Sequence, residues 1–344
     1  MENRVPVILA LMDGKPGHES QTEGVLRCLP DFEAERVRIR WRSKQHDNAL
    51  RAAVLLRRAV GLKRLAAALR HALQPESYAE LASVSHADIA LSTGSSVAAP
   101  NLIASRLLGA KSVVCMRPSP LGVRPFDAAA LPFHERGSGR VIRTLGAPNR
   151  ISPEIVDEMS ARIDDPICVG LLFGGNDRRY VWSAQAAERT AQAVVHSARQ
   201  NGMRAAAATS RRTPPEAEAA IRRVLDESGL CVYAAYAGDP EPKPMAALNV
   251  LARSAWTAVT VDSFSMVCEA ASSGRPAVVV EIPSRRRDRY APTYAAVAEK
   301  TGMGRVSIDA LADWTPPAQT TALRDAETAA EGVRRLLQTG DAAC

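Results

Sequence analysis

The chain reads as two doubly wound α/β domains in series, each a parallel sheet with helices on both faces. Three observations carry this. Short β-branched apolar runs alternate with longer helical stretches throughout, the runs fall into two series, and prolines crowd the stretch between the series. The first series places strands at Val5–Met12, Val37–Trp41, Asp88–Ser92, Ser112–Cys115, Asp127–Leu131 and Val141–Thr144. The second places them at Ile167–Phe173, Met203–Thr209, Leu230–Tyr236, Ala258–Val261, Ala277–Ile282 and Arg305–Ile308. Pro148, Pro153 and Pro166 flank a short polar helix, so residues 149–166 are expected to link a domain at 1–148 to one at 167–344. A final helix is expected at 318–339, within the second domain.

Hydrophobic residues make up 46% of the 344 and charged residues 24%, a soluble globular balance. No apolar run approaches the ~18 residues that cross a bilayer. The first apolar stretch follows an acid and lacks a small-residue cleavage site, so it reads as a strand and not a signal peptide. The six cysteines are scattered, with no C-x-x-C and no zinc spacing. They read as reduced thiols of a cytosolic protein, and no metal is expected. The net charge of +7 points to an acidic partner: a nucleotide, an anionic membrane or nucleic acid. Aromatic residues are only 4% and no known module is present, which sets nucleic acid aside.

Open parallel sheets bind ligands outside the carboxyl ends of their strands, so the loops there are the candidates. The first strand runs into Met12-Asp-Gly-Lys-Pro-Gly-His-Glu-Ser-Gln21. Gly14 and Gly17 permit close backbone approach, and His18 stands where it could act as general base, with Asp13 and Glu19 as neighbouring acids. A histidine capping the turn is the competing reading. In the second series, Gly174, Gly175 and Asn176 follow a buried strand and are read as a phosphate cradle, with Arg178 and Arg179 adding charge. A plain tight turn competes. Ser210, Arg211, Arg212 and Thr213 form a dense anion-binding set. The segment Ala258–Glu281 reads as strand, turn, helix and strand. It puts Asp262, Ser263, Ser265 and Met266 at a helix N-terminus suited to phosphate, with Glu269 one turn inside to hold ribose hydroxyls. Four arginines follow in Ile282–Tyr290, facing substrate phosphates, a membrane or solvent.

Residues 48–75 hold six Lys/Arg and no acid. On a helical wheel Leu55, Leu62, Leu65, Leu69 and Leu73 share a face opposite Arg57, Arg64 and His71. Such a helix can lie on anionic lipid or simply cover the sheet.

Five ordered motifs resemble the mitochondrial-fission "elongated mitochondria" family, whose bacterial members are described as glycosyltransferases. They are Asp13–Gln21, Thr144–Ile151, Gly174-Gly175 with Tyr180 and Trp182, Thr209–Pro214 and Thr260–Ala270. The resemblance implies a GT-B architecture, two Rossmann-like domains facing a cleft with the donor nucleotide on the second. The C-terminal half is also similar to the N-acetylglucosaminyltransferase that completes the lipid-linked peptidoglycan precursor. That likeness implies Glu269 on the donor ribose, His18 near the acceptor, and 283–290 closing on the donor sugar. The chain departs from the family pattern at Ser95 and Ser96, where Arg is usual, at Pro132–Glu135, and at Glu241–Met245.

The expected function is therefore a metal-independent glycosyltransferase using a nucleoside-diphosphate sugar as co-substrate and no other cofactor. Its acceptor is unidentified and could be lipid-linked. The expected location is cytoplasmic, at the inner face of a membrane. The alternative is a non-catalytic recruitment protein built on the same shell. A nucleoside-diphosphate-sugar epimerase ranks lower, because the first loop lacks G-x-G-x-x-G and no Tyr-x-x-x-Lys pair is present.

Overall fold

The computed structural model describes residues 4–164 and 167–338. The chain forms two compact units. The first comprises residues 4–150 with 324–338, and the second is Ile151–Leu323.

In the first unit the elements run β1 (Val7–Met12), α1 (Pro16–Arg27), β2 (Glu33–Arg38), α2 (Lys44–Leu55), α3 (Arg57–Val60), α4 (Leu62–Ala72), α5 (Pro75–Ser83), β3 (Ile89–Thr93), α6 (Ala98–Leu108), β4 (Lys111–Cys115), β5 (Ala128–Leu131) and β6 (Val141–Arg143). The six strands form a parallel sheet in the order β2-β1-β3-β4-β5-β6. Alternate residues of β1 enter different cores. Leu9 and Leu11 pack with the helices after β2, whereas Ile8 and Ala10 pack on the opposite face, as a pleated strand covered on both sides requires. The chain leaves β1 for one side of the sheet at β2 and for the other at β3. The gap between β1 and β3 is therefore the topological switch point.

The second unit runs α7 (Pro153–Ser160), β7 (Cys168–Leu172), α8 (Ala184–Gln200), β8 (Arg204–Ala208), α9 (Pro215–Ser228), β9 (Cys231–Ala235), α10 (Ala246–Arg253), β10 (Ser254–Thr260), α11 (Phe264–Ser272), β11 (Ala277–Glu281), α12 (Ala291–Thr301) and β12 (Gly304–Ser307). This sheet is also parallel, ordered β12-β11-β10-β7-β8-β9. Its switch point lies between β7 and β10. Leu172 pairs with Ala208 on one side and Val259 on the other, so the loops after β7, β8 and β10 emerge side by side.

All twelve expected strands are present, with three differences in the architecture. The second strand starts earlier than expected, at Glu33, because it is the sheet edge. Of its six residues only Val37 is buried, so it shows no apolar run. The basic stretch 48–75 is not one helix. Gly61, with φ +76°, breaks it, so Leu65, Leu69 and Leu73 enter the core while Leu55 and Leu56 are left 47% and 64% exposed. Finally, the last helix, α13 (Asp325–Gln338), starts later than 318 and belongs to the first unit, not the second. Its Ala329, Ala330, Val333 and Leu336 close the core beneath Ile8, Ala10 and Leu91. Asp325 accepts hydrogen bonds from the backbone of Leu145 at 2.9 Å and Gly146 at 2.6 Å.

Candidate functional site

At the first switch point the loop after β1 gathers a small polar cluster. His18 is the third residue of α1, and its Nδ1 stands 2.8 Å from Asp13 Oδ2. Lys15 Nζ donates to that same oxygen at 2.9 Å and to Ser96 Oγ at 2.9 Å, and Ser96 Oγ donates to Asp13 as well. Burial raises the Asp13 carboxyl, but the hydrogen bond and charge of His18, then Ser96 and Lys15, outweigh it and hold the group well below the usual carboxylate range. An ionised carboxylate only accepts, so in the neutral imidazole the proton sits on Nδ1 and Nε2 offers its lone pair. Asp13 is 3% exposed and His18 30%, so the imidazole reaches solvent and the carboxylate does not. Among the described residues no group bonds Nε2.

The backbone of Gly94, after β3, forms a wall of this site. A Cβ there would stand 2.5 Å from His18 Cε1, and its φ is +77°. Met12, Thr22, Thr93 and Glu19 line the recess beneath the ring. Gly14, with φ +75°, turns the chain, and Gly17 precedes His18 in α1. Both acids of the loop are engaged. Asp13 is enclosed by its donors, and Glu19 Oε1 accepts from Gly14 N at 3.1 Å and Arg38 Nη2 at 3.0 Å, which ties down the loop.

At the second switch point the loop expected to cradle phosphate is braced from within. Gly174 N donates to Thr260 Oγ1 and Gly175 N to Asp262 Oδ2, both at 2.7 Å. Gly174 O accepts from Ser210 Oγ and from Thr213 Oγ1. Asn176 bonds the backbone of Arg212 and Trp182. Asp262 also accepts from Trp182 Nε1 at 2.9 Å and pairs with Arg212 at 3.0 Å. Its side chain has no exposed surface. Burial raises its carboxyl, and Arg212 heads the groups that oppose the rise. So Gly174, Gly175, Asn176, Ser210 and Asp262 hold the loops after β7, β8 and β10 together. The two glycines are required because a Cβ would stand 2.1 Å from Asp262 Oδ2 or from Arg212 O.

Arg179 is likewise spent. It pairs with Asp177 and Asp288 at 2.5 Å each and lies over the Tyr290 ring at 4.3 Å. Tyr180 donates to Asp288 at 2.8 Å, and Tyr290 stacks on Phe264 with centroids 4.5 Å apart. The loop after β11 is thereby pinned to the loop after β7 and to the start of α11.

What remains open at this edge is the N-terminus of α11. The backbone N–H groups of Ser265 and Met266, and the hydroxyls of Ser263 and Ser265, have no partner among the described residues. Glu269 follows one turn later, half-buried. Around them stand exposed guanidinium groups with no described partner: Arg178, Arg211, Arg285, Arg286 and Arg287. Arg212 is shared between Asp262 and solvent. Sequence reading missed Lys15, Gly94, Asp288 and the bracing role of Trp182. Gly94, Asp288 and Trp182 carry weak signals because their partners lie far along the chain, whereas Lys15 sits two residues from its partner Asp13.

Two doubly wound parallel-sheet domains, each with its polar loops at a switch point, define the GT-B class of fold. The chain belongs to the family described as Mitochondrial fission ELM1, whose model matches residues 16–337. A crystal structure of UDP-N-acetylglucosamine 2-epimerase is similar over 98% of this chain and 96% of its own, with TM-score 0.56 and 13% identity. UDP-GlcNAc 2-epimerase from Neisseria meningitidis bound to UDP-GlcNAc is similar over 97% and 99%, with TM-score 0.53 and 10% identity. MurG of Acinetobacter baumannii matches over 97% and 92%, with TM-score 0.45 and 13% identity. No curated protein matches the sequence. The epimerase class ranked low by sequence is thus represented among similar folds. Among the described residues no three His, Cys, Asp or Glu side chains are grouped to hold a metal ion, and no helix is long and apolar enough to cross a membrane.

Proposed function

We propose that the protein is a glycosyltransferase that takes a nucleoside-diphosphate sugar on its second unit and uses His18 as the base toward an acceptor hydroxyl. The observation that carries this reading is the Asp13–His18 pair at a switch point, with an ionised carboxylate fixing the tautomer and Nε2 open. The acceptor O–H gives its proton to His18 Nε2 as the oxygen bonds the sugar's anomeric carbon. The bond from that carbon to the diphosphate breaks, and the nucleoside diphosphate leaves. Its charge is met by the open N–H groups of α11 and by Arg211, with Arg212 beside them. Glu269 holds the ribose.

The test is calorimetric titration with UDP, GDP and CMP, repeated on Arg211→Ala and Glu269→Ala. Binding by none of the three nucleotides overturns the reading. If one binds, donor hydrolysis by the wild type that vanishes in His18→Ala supports catalysis. Equal hydrolysis in that variant removes His18 from the mechanism. The similar epimerase folds favour a second reading, sugar epimerisation on the same nucleotide site, and UDP-GlcNAc converted to its C2 epimer with no free sugar would select it. Nucleotide binding with no turnover would select the recruitment reading.

A membrane contact is suggested by Leu55 and Leu56, exposed in a stretch whose Lys63 and Arg64 are also exposed. Exposed apolar side chains in a basic, acid-free stretch suit an anionic lipid surface. Co-sedimentation with anionic but not zwitterionic vesicles, lost in Leu55→Ser/Leu56→Ser, is the expected result.

A further inference from the structure

Beyond the residues that hold His18, one more cation stands on an unusual turn whose neighbours bond to the loop beside the ring. Met116 directly follows β4 and adopts φ +64°, a left-handed conformation uncommon for a residue with a side chain and concentrated at functional sites. It is locked there by its N–H to Ala130 O at 2.9 Å. Next comes Arg117, exposed and without a described partner. The turn it occupies is built into the His18 site. Gly94, whose Cα lies against the imidazole, donates its N–H to Cys115 O at 3.0 Å. Two residues past Arg117, Ser119 N donates to Ser95 Oγ at 2.8 Å, next to the Ser96 that holds Asp13 and Lys15. Arg51 reaches Ser119 O at 3.3 Å while pairing with Asp47. The acids of the neighbourhood are therefore spent: Asp13 on His18, Lys15 and Ser96, Glu19 on Gly14 N and Arg38, and Asp47 on Arg51. Lys15 uses two of its three ammonium protons on Asp13 and Ser96 and is half-exposed. The surplus charge is positive.

We propose that Arg117 and Lys15 form an anion subsite beside His18, which takes a phosphate or carboxylate group of the acceptor. This rests on the acceptor reading of the first unit and names its substrate class: an anionic molecule whose hydroxyl lies near its charge. The strained turn serves to present a planar, paired donor where the neighbouring loop, with Ser95 and Ser96, offers no cation.

The probes are inorganic phosphate and acetate, added to the full-length protein without nucleotide while the His18 imidazole is titrated by NMR. An anion bound beside the ring favours the imidazolium, so either probe is expected to move the His18 midpoint upward. The tighter probe names the class. Arg117→Ala, at an exposed position, is expected to weaken that effect about tenfold, and Arg117→Lys to restore part of it. Arg136→Ala removes an exposed arginine elsewhere on the unit and is expected to change nothing. The proposal is overturned if neither anion moves His18, if Arg117→Ala responds like wild type, or if Arg136→Ala loses as much. Because no nucleotide is present, failure of donor binding on the second unit leaves this result standing.

Discussion

Gly94 and His18 are packed so closely that a methyl group on Gly94 would overlap the imidazole, at 2.5 Å from Cε1. The ring is therefore held from one side by Asp13 and from another by bare backbone. Gly94→Ala is expected to swing the imidazole off Asp13 and to strain a residue at φ +77°. Turnover should fall about a hundredfold, the scale of a lost general base, with about 1 kcal/mol of stability lost. Steady-state rates beside a thermal melt check both, and an unaltered rate would refute the wall.

Asp262 joins the loops after β7, β8 and β10 from a fully enclosed position. Asp262→Ala leaves the Gly175 N–H and Trp182 Nε1–H unpaired and Arg212 without its counter-ion. The expected loss is about 3 kcal/mol, read as a lower urea midpoint, with Trp182 fluorescence as the probe. A loss of nucleotide binding with unchanged stability would instead make Asp262 a ligand contact.

Asp13 gives a pH signature with a definite sign. Its folded carboxyl lies below the unfolded value of about 3.9. Its stabilisation is therefore complete above that value and is lost as pH falls below about 4 toward the folded pKa. Asp13→Asn lacks this contribution. The stability gap between wild type and Asp13→Asn should shrink as pH falls below about 4. A gap that widens on acidification contradicts the assignment.

Arg179 and Arg211 stand on neighbouring loops of one sheet edge but should behave oppositely. Arg179 is buried in two ion pairs, and Arg179→Ala strands Asp288 and Asp177, lowering the melting temperature. Arg211 is exposed and uncommitted. Arg211→Ala should leave the melting temperature unchanged and weaken nucleotide binding about tenfold, the worth of one charge-assisted contact.

These contrasts show where sequence reading succeeds. Apolar runs such as Ile89–Thr93 and Ala277–Glu281 are buried on both faces, so hydrophobicity alone reveals them. Glu33–Arg38 sits at an edge, and its charges hide it. The His18 loop was legible because Asp13, Lys15 and His18 are close in sequence. The bracing role of Gly174-Gly175 is hidden because its partners, Thr260 at the end of β10 and Asp262 in the turn after it, lie some eighty-seven residues on. A tight turn that cradles a phosphate and one that cradles a neighbouring carboxylate have the same composition. Only the tertiary partner separates them. Likewise nothing in 325–338 says which sheet its apolar stripe will cover.

The return of α13 to the first unit has a consequence for synthesis on the ribosome. The second unit is complete once Leu323 has emerged, whereas the first must wait for residues made after it. Until then the core that α1 shares with the sheet face carrying Ile8, Ala10 and Leu91 lacks the Ala329, Ala330, Val333 and Leu336 that complete it. The nascent first domain is the last to mature although most of it is made first, and it is the part of the molecule most in need of chaperone cover.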